Sequence, residues 1–577
     1  MNIILIRKLL KYIMPYKKYI FISILSGIVY IALTLLTPIV IGEGVDYIVY
    51  KNNVDFENLT KIILILIGVF LISSLFQLIM TRSTNILCNK TIKHLRMDVF
   101  DKLNKVPLKY IDGKSTGSIM NTVINDIEAV SDGLLQGFSQ LFTGILTIVG
   151  TLMFMLAINY KIALVVFFVT PISLFTASII AKACYSMFSK QSEVRSELTG
   201  FIEELISNQK LVKSFNYEDD ALEKFKDISK RLYNYGQKAQ FYSAITNPAT
   251  RFVNGIVYTS VGVFGGILVV RGAITVGNLS AFLTYANQYT KPFNEISGVI
   301  TELQAAFSSL QRIFNLLEEE NEIEDPRDAI ELENCEGFID ISNVNFSYEK
   351  GTPLIENLNL KVKPGEKIAI VGPTGSGKTT LINLLMRFYN IDSGEIKIDN
   401  INIEKIKRSS VRGLYGMVLQ DTFLYQGSIR DNIAYGRPEA SMEEVIEAAK
   451  KAHAHDFIIK LPHGYKTILS EDSALSEGQR QLLSIARVML SKPSMLILDE
   501  ATSNIDTRTE IYIQRAFNEL MKDKTTFIVA HRLSTIKEAD LIIVMNNGKV
   551  IEQGNHKELL DKGGFYAELY NSQFETA

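Results

Sequence analysis

One stretch limits what this chain can fold into more than any other: Gly372-Pro-Thr-Gly-Ser-Gly-Lys378-Thr379-Thr380. A buried-strand pattern, Lys367-Ile-Ala-Ile-Val371, leads into it, and an apolar helical pattern, Leu381-Ile-Asn-Leu-Leu-Met386, follows. A G-x-x-x-x-G-K-[ST] run between a strand and a helix is a phosphate cradle. Its glycines let backbone N–H groups turn onto a phosphate, and the helix start presents the positive end of its dipole. Gly372, Thr374, Gly375, Ser376, Gly377 and Thr380 would form the cradle. Lys378 would reach the β- and γ-phosphates, and Thr379 would offer its hydroxyl to Mg²⁺. The pattern calls for a nucleoside triphosphate held by an α/β domain.

That domain fills only part of the 577 residues, a length that predicts two or more domains. Mean hydropathy is slightly positive, +0.14, although 21% of residues are charged, so apolar and charged residues must be segregated. The first half carries the long apolar runs. A net charge of −2 gives no reason to invoke nucleic acid as a partner. Cys88, Cys184 and Cys335 are scattered without metal-ligand spacing and read as reduced structural thiols. Trp is absent, which leaves Tyr to supply an interfacial aromatic belt.

Apolar stretches of about twenty residues, enough to cross a bilayer, begin near Tyr19, Ile62, Leu134, Ile162, Phe241 and Leu279, the last two with interruptions. The connection between the second and third spans is basic, from Arg82 to Lys114, and so is that between the fourth and fifth, from Lys182 to Lys238. The opposite connections are short. This bias predicts a multi-pass membrane domain with both termini in the cytoplasm. Residues before Lys18 read as an amphipathic helix on the inner leaflet. The two basic connections are helical in pattern and predict continuations of the membrane helices, each turning at a short helix near Val106-Pro-Leu-Lys-Tyr110 and Ser207-Asn-Gln-Lys-Leu211. The acidic run from Glu318 to Pro326 reads as solvated linker. The expected division is residues 1–317 for an all-α polytopic membrane domain, 318–336 for the linker, and 337–577 for the α/β domain.

Downstream, the apolar run Met495-Leu-Ile-Leu498 ends in Asp499-Glu500, a buried parallel strand delivering two carboxylates. Asp499 is placed to organise Mg²⁺ through water, and Glu500 to act as general base for an attacking water. Between these features lies Leu475-Ser-Glu-Gly-Gln479.

Residues 372–379, Gln420 after an apolar strand, residues 475–479, Asp499-Glu500, Ser503-Asn-Ile-Asp506 and His531 resemble, in identity and order, the ATPase domains of ABC transporters. The front half resembles the six-helix domain of ABC exporters, including Leu-Lys-Tyr110-Ile-Asp112…Gly117…Asp126, where that family places its first coupling helix. The resemblance implies roles. Tyr348 matches the aromatic that stacks on adenine. Gln420 matches the glutamine that senses Mg²⁺ and the attacking water, His531 the switch histidine at the γ-phosphate, and Asp506 a nucleotide-site residue. Ser476, Gly478 and Gln479 match signature residues acting on a nucleotide held by the opposite subunit. A chain of this half-length would then work as a dimer around ATP and Mg²⁺.

The usual signature is Leu-Ser-Gly-Gly-Gln, and Glu477 here replaces its first glycine. The preceding Asp472-Ser-Ala474 turn looks one residue short. Either Glu477 points to solvent in a homodimer, or the chain belongs to a heterodimer whose partner supplies a standard signature, the reading favoured slightly. The implied function is ATP-driven export of a lipophilic or amphipathic molecule, drug or lipid, across a bacterial cytoplasmic membrane. A dedicated peptide or lipid exporter, an exporter-shaped importer and an ATP-gated channel remain as alternatives. Lys291 and Glu295 near Pro292 are four apart and read as a mutual pair, while Glu43 and Asp46 read as a cap or anchor. Gly262 and Gly266 read as a close helix-packing pair.

Overall fold

The computed structural model describes residues 3–49, 54–349, 351–419, 422–469, 475–499, 505–529 and 533–574. They divide into two compact units, residues 1–104 with 116–319, and residues 105–115 with 320–577.

The first unit is helical. An N-terminal helix, Ile3–Ile13, precedes long helices at Lys17–Val49, Phe56–Leu103, Thr116–Ile158, Tyr160–Ser207, Glu218–Val270 and Val276–Leu317. The third of these is continuous through two π-helical turns, Thr122–Asp126 and Gly137–Leu141. A helix of 48 residues such as Phe56–Leu103 runs about 72 Å at ~1.5 Å per residue. That is more than twice the ~30 Å apolar core of a bilayer, so the long-helix continuations read from the sequence are present. Among the described residues three helices, Ile4–Ile48, Phe56–Leu103 and Thr116–Ile158, are long and apolar enough to cross a membrane, and Asn254–Val270 is a shorter apolar stretch.

Helix starts are set by their capping residues. Asp55 accepts from Asn58 N, Asn159 from Lys161 N and Ile162 N, and Thr275 from Asn278 N, each satisfying orphan donors of a first turn. Asp46 also serves here: its Oδ1 accepts from Gly277 N at 2.7 Å, which makes it the anchor expected of it. The two backbones come so close there that a Cβ on Gly42 would lie 2.6 Å from Gly277 O. The glycine-pair expectation needs correction. A Cβ on Gly262 or Gly266 meets nothing within 4 Å, whereas one on Gly265 would strike Leu279 Cδ1 at 2.4 Å. The packing contact within the chain is therefore one residue off the predicted stripe. Of the predicted Lys291–Glu295 pair, the Glu295 side chain lies outside the described residues.

The second unit is α/β. Its main sheet has six strands in the order Lys549–Gly554, Leu541–Asn546, Lys367–Val371, Thr525–Val529, Met495–Asp499 and Tyr415–Val418. All neighbours are parallel except the first pair. Strands buried on both faces need continuous apolar runs, and Thr525–Val529 is buried at every position. A four-stranded antiparallel sheet, Ile355–Val362, Ile339–Phe346, Ser393–Ile398 and Ile401–Asn402, packs with it around a shared core that includes Phe346, Leu381, Ile497 and Phe527.

Most of the acidic run is exposed, as read, but Glu322 and Asp325 are not simply solvated. Within the second unit Arg408, 6% exposed, donates from its backbone N and from Nη1 to Asp325, at 2.8 and 3.1 Å. Arg412 donates to Glu322 Oε1 at 2.6 Å, and buried Arg387 lies 3.3 Å from Asp325. Asp325 is therefore held by the buried Arg408 and Arg387, which need such a partner to offset their desolvation, and Glu322 by the partly exposed Arg412.

Residues 105–115 belong to the same unit. They carry the short helix Leu108–Asp112, and the second predicted turn is the short helix Gln209–Ser214.

Candidate nucleotide site

Parallel register brings the chemistry to one edge of the main sheet. Val529 lies opposite both Ile370 and Asp499, and Val418 lies opposite Leu498. The strands that lead into the phosphate loop, into Asp499 and into the segments carrying Gln420 and His531 thus end together at their carboxyl ends, where open α/β sheets bind ligands. Gln420, Glu500 and His531 themselves lie outside the described residues, as do Ser503 and Asn504.

The loop from Gly372 to Gly377 leaves the Lys367–Val371 strand and enters the helix Lys378–Leu385. Gly375 and Gly377 have φ of +80° and +100°, a region that glycine enters without strain. A Cβ on Gly372 would lie 2.2 Å from Met545 O, so the neighbouring strand leaves room only for hydrogen there. Gly548 N donates to Ser376 O at 3.0 Å and pins the loop from the same side. Ser376 is 2% exposed, and its Oγ has no hydrogen-bond partner among the described residues. A buried hydroxyl without a partner is costly unless a ligand supplies one.

Lys378 Nζ donates to Gly372 O at 2.8 Å and Pro373 O at 3.0 Å, folding back over the loop. Burial lowers its pKa below the ordinary lysine value, while the charge of Asp499 acts in the opposite sense. Thr374 and Thr379 are exposed, and Thr380 is buried. A depressed lysine at a helix start, glycines cleared for close approach and an unpartnered hydroxyl fit a polyphosphate.

Tyr348 stands at the side of this helix. Its hydroxyl is 3.2 Å from Thr380 Oγ1 and accepts from Asn383 Nδ2 at 3.3 Å. Its ring makes edge contacts at 4.9 Å with both Phe346 and Tyr389. Tyr389 donates to Asp112 Oδ2 at 2.5 Å, and Lys109 Nζ donates to Tyr348 O at 2.6 Å. A pair of tyrosines therefore joins the short helix Leu108–Asp112 to the phosphate-loop helix. Sequence reasoning missed Tyr389 and Lys109, because nothing local distinguishes them from ordinary packing and surface residues.

Ser476 and Gln479 form a capping box at the start of the helix Glu477–Ser491: Ser476 Oγ accepts from Gln479 N, and Gln479 Oε1 accepts from Ser476 N. Glu477 is exposed in the first turn, where the helix dipole favours a carboxylate. Among the described residues no hydrogen bond joins this turn to residues 372–380. Asp506 caps the helix Thr507–Met521 by accepting from Thr509 N at 3.0 Å, and that bond holds its pKa below the usual carboxylate value. Gly478 is buried, and a Cβ there would meet Thr509 Cγ2 at 2.4 Å and Ile505 Cγ2 at 3.0 Å. Gly478→Ala should therefore destabilise this segment by about 1–3 kcal/mol through overpacking, read as a lower unfolding temperature of the second unit. An unchanged melting profile would mean that the two helix starts separate freely.

Comparison with known proteins agrees with this geometry. Residues 20–293 match the family model described as ABC transporter transmembrane region, and residues 355–503 match the model described as ABC transporter. A protein of Mycobacterium bovis named fatty acid ABC transporter ATP-binding/permease protein is 42% identical over 523 residues, spanning 90% of this chain and 83% of its own. A Bacillus subtilis protein whose name provisionally assigns it multidrug export as an ATP-binding/permease protein is 35% identical over 581 residues, covering 98% and 99% of the two chains. An uncharacterised ABC transporter ATP-binding protein of the same organism is 37% identical over 571 residues, 99% and 94% of the two. The chain belongs to the ABC transporter family, as an exporter-type half-transporter in which the membrane region and the ATP-binding domain are fused.

Proposed function

We propose that this chain is one half of a primary exporter that moves a lipophilic or amphipathic molecule, drug or lipid, across the cytoplasmic membrane by alternating access. Both termini face the cytoplasm, and the working boundaries are residues 1–317, 318–336 and 337–577. The observation that carries the reading is the union, in one chain, of long apolar helices with a sheet edge gathering the phosphate loop and Asp499. The relatives named for fatty-acid transport and multidrug export support the cargo class. A dedicated peptide or lipid exporter is the second reading, kept because the first of those relatives is named for one lipid class.

In this mechanism the loop N–H groups, Ser376 Oγ and Lys378 bind the β- and γ-phosphates, and Tyr348 carries the adenine. Thr379, Asp499 and Gln420 would hold Mg²⁺, which supplies charge neutralisation across the phosphate oxygens. Glu500 takes the proton of the attacking water, with Gln420 orienting that water and His531 contacting the γ-phosphate. Ser476, Gly478 and Gln479 act on the nucleotide of the companion chain, with Asp506 at the same junction. Nucleotide that favours the closed pair of ATP-binding domains shifts the membrane halves only through its differential affinity for the two states. The Lys109–Tyr348 and Asp112–Tyr389 bonds are suited to passing that shift to the helix Leu108–Asp112. The companion is a different half-transporter with a standard signature, because Glu477 alters the signature this chain contributes.

The test is ATP-dependent uptake of a lipophilic dye or labelled fatty acid into inside-out vesicles, with Mg-ATPase measured in parallel for the chain alone and with a co-expressed companion. Uptake against a gradient only with the companion is expected. Turnover by the chain alone would make it a homodimer, and flux that never exceeds equilibrium would make it an ATP-gated channel.

A further inference from the structure

A cavity of about 290 Å³ lies inside the helical unit, walled by side chains that include Leu9, Ile24, Leu134, Phe138, Phe142 and Leu303. That is roughly ten times the ~30 Å³ share of one liquid water, and the wall is almost wholly apolar, so the cavity suits a hydrocarbon chain better than solvent. Its shape has a local cause. The π-helical turn Gly137–Leu141 interrupts the third long helix at the wall, and π-turns cluster at functional sites. Two glycines flank it differently. A Cβ on Gly133 would press on Ala306 Cβ at 2.3 Å, so the helices touch there. One on Gly137 meets Leu303 Cδ2 only at 3.5 Å, an ordinary contact, so the helices part and the space opens.

Depth and charge identify the occupant. Tyr16 and Tyr19 both lie under the Lys90 ammonium, at 5.8 and 5.3 Å, and Lys18 covers Tyr19 at 5.1 Å. Tyrosines with lysines mark the head-group level of a bilayer. Ile24 follows Tyr19 by five residues on the same helix, about 7.5 Å deeper at ~1.5 Å per residue, which is acyl-chain depth. Leu9 of the N-terminal helix also lines the cavity, while Arg7 and Lys11, two positions either side of it, are exposed on that helix's opposite face. Lys17, seven residues before Ile24 and so on the same helix face, is exposed, as are Lys18 and Lys90. An apolar cavity below this lysine level complements a lipid with an anionic head group.

We propose that this cavity holds an acyl chain of an anionic membrane phospholipid from the leaflet on the N-terminal side, its head group at the level of Lys17, Lys18 and Lys90. The lipid would brace the N-terminal helix against the first, third and sixth long helices. The site lies within one half-transporter and does not depend on the cargo or direction proposed above.

The absence of Trp gives a clean test. The full chain carrying Phe142→Trp is reconstituted in phosphatidylcholine vesicles, and quenching by brominated-acyl phosphatidylglycerol is compared with that by brominated-acyl phosphatidylcholine at equal mole fraction. Phe70→Trp, on an exposed apolar position of the second long helix, reports ordinary bilayer contact. The expected result is at least threefold preferential quenching by phosphatidylglycerol at position 142 and none at position 70. Gly137→Leu should fill the cavity and remove quenching by both lipids. The exposed-lysine variants Lys17→Gln with Lys18→Gln should remove the preference alone. Equal quenching by the two lipids at position 142, or displacement of phosphatidylglycerol by free fatty acid at equal mole fraction, overturns the proposal; the latter makes the cavity a cargo site.

Discussion

Lys378→Ala is expected to abolish nucleotide binding, whereas Glu500→Gln should keep ATP bound and stop its turnover. In the transporter assembled with its companion, each should lower the Mg-ATPase rate by a factor of about 10² or more, the loss typical of removing one preorganised group from a transition state. The two variants part in binding. Lys378 is the cation over the loop, already drawn inward to the Gly372 and Pro373 carbonyls at 2.8 and 3.0 Å. Burial biases it towards the neutral form, and the charge of Asp499 opposes that bias. Phosphate would add a far stronger counter-charge, which the Lys378 ammonium would neutralise. Removing it leaves backbone N–H groups and Ser376 Oγ, which recognise phosphate without neutralising it. Asp499 lies opposite Val529 at the carboxyl edge of the sheet, and Glu500 directly follows it in the sequence. Its amide keeps the shape and loses the base. Equilibrium binding of a fluorescent ATP analogue, set beside phosphate release, separates the outcomes. Binding unchanged in Lys378→Ala would mean that the cradle works without its cation.

How much of this was legible in the sequence depends on the distance over which each feature is decided. The phosphate loop, the Met495–Asp499 strand and the six long helices are set by residues adjacent along the chain, and each carries its own periodicity or glycine pattern. Their convergence at one sheet edge follows from parallel register, which continuous apolar runs such as Thr525–Val529 demand. Two acids of the otherwise exposed linker were misread because their partners are remote: Arg408 and Arg412 lie over eighty residues beyond Asp325 and Glu322. Composition alone sees only an acidic run. The glycine stripe failed for a related reason. Spacing identifies which glycines share a helix face, but the face that meets a neighbour is set by the other helix, and Leu279 meets Gly265. Tyr389 and Asp112, 277 residues apart, could be joined only by the fold.

The same remoteness governs the second large effect, expected from Asp126 and Arg312. Asp126 is 2% exposed at the end of the π-helical turn Thr122–Asp126. Arg312 on the sixth long helix grips it bidentately, Nε to Oδ2 at 2.8 Å and Nη2 to Oδ1 at 2.6 Å, and Ser309 Oγ adds 2.9 Å to Oδ1. A carboxylate so buried needs its cation, and removing one partner of such a pair costs more than the pair contributes. Arg312→Gln should therefore destabilise the helical unit by about 2–3 kcal/mol, below the ~3–5 kcal/mol typical of fully buried pairs because Arg312 is itself half exposed. Adding Asp126→Asn should restore most of that loss, since two amides can share a hydrogen bond without stranding a charge. The readout is the rate of limited proteolysis in detergent, which senses local opening in a multi-domain chain where a single unfolding temperature is ambiguous. A double variant no more resistant than Arg312→Gln would show that packing around Ser309, rather than the buried charge, holds the third helix to the sixth.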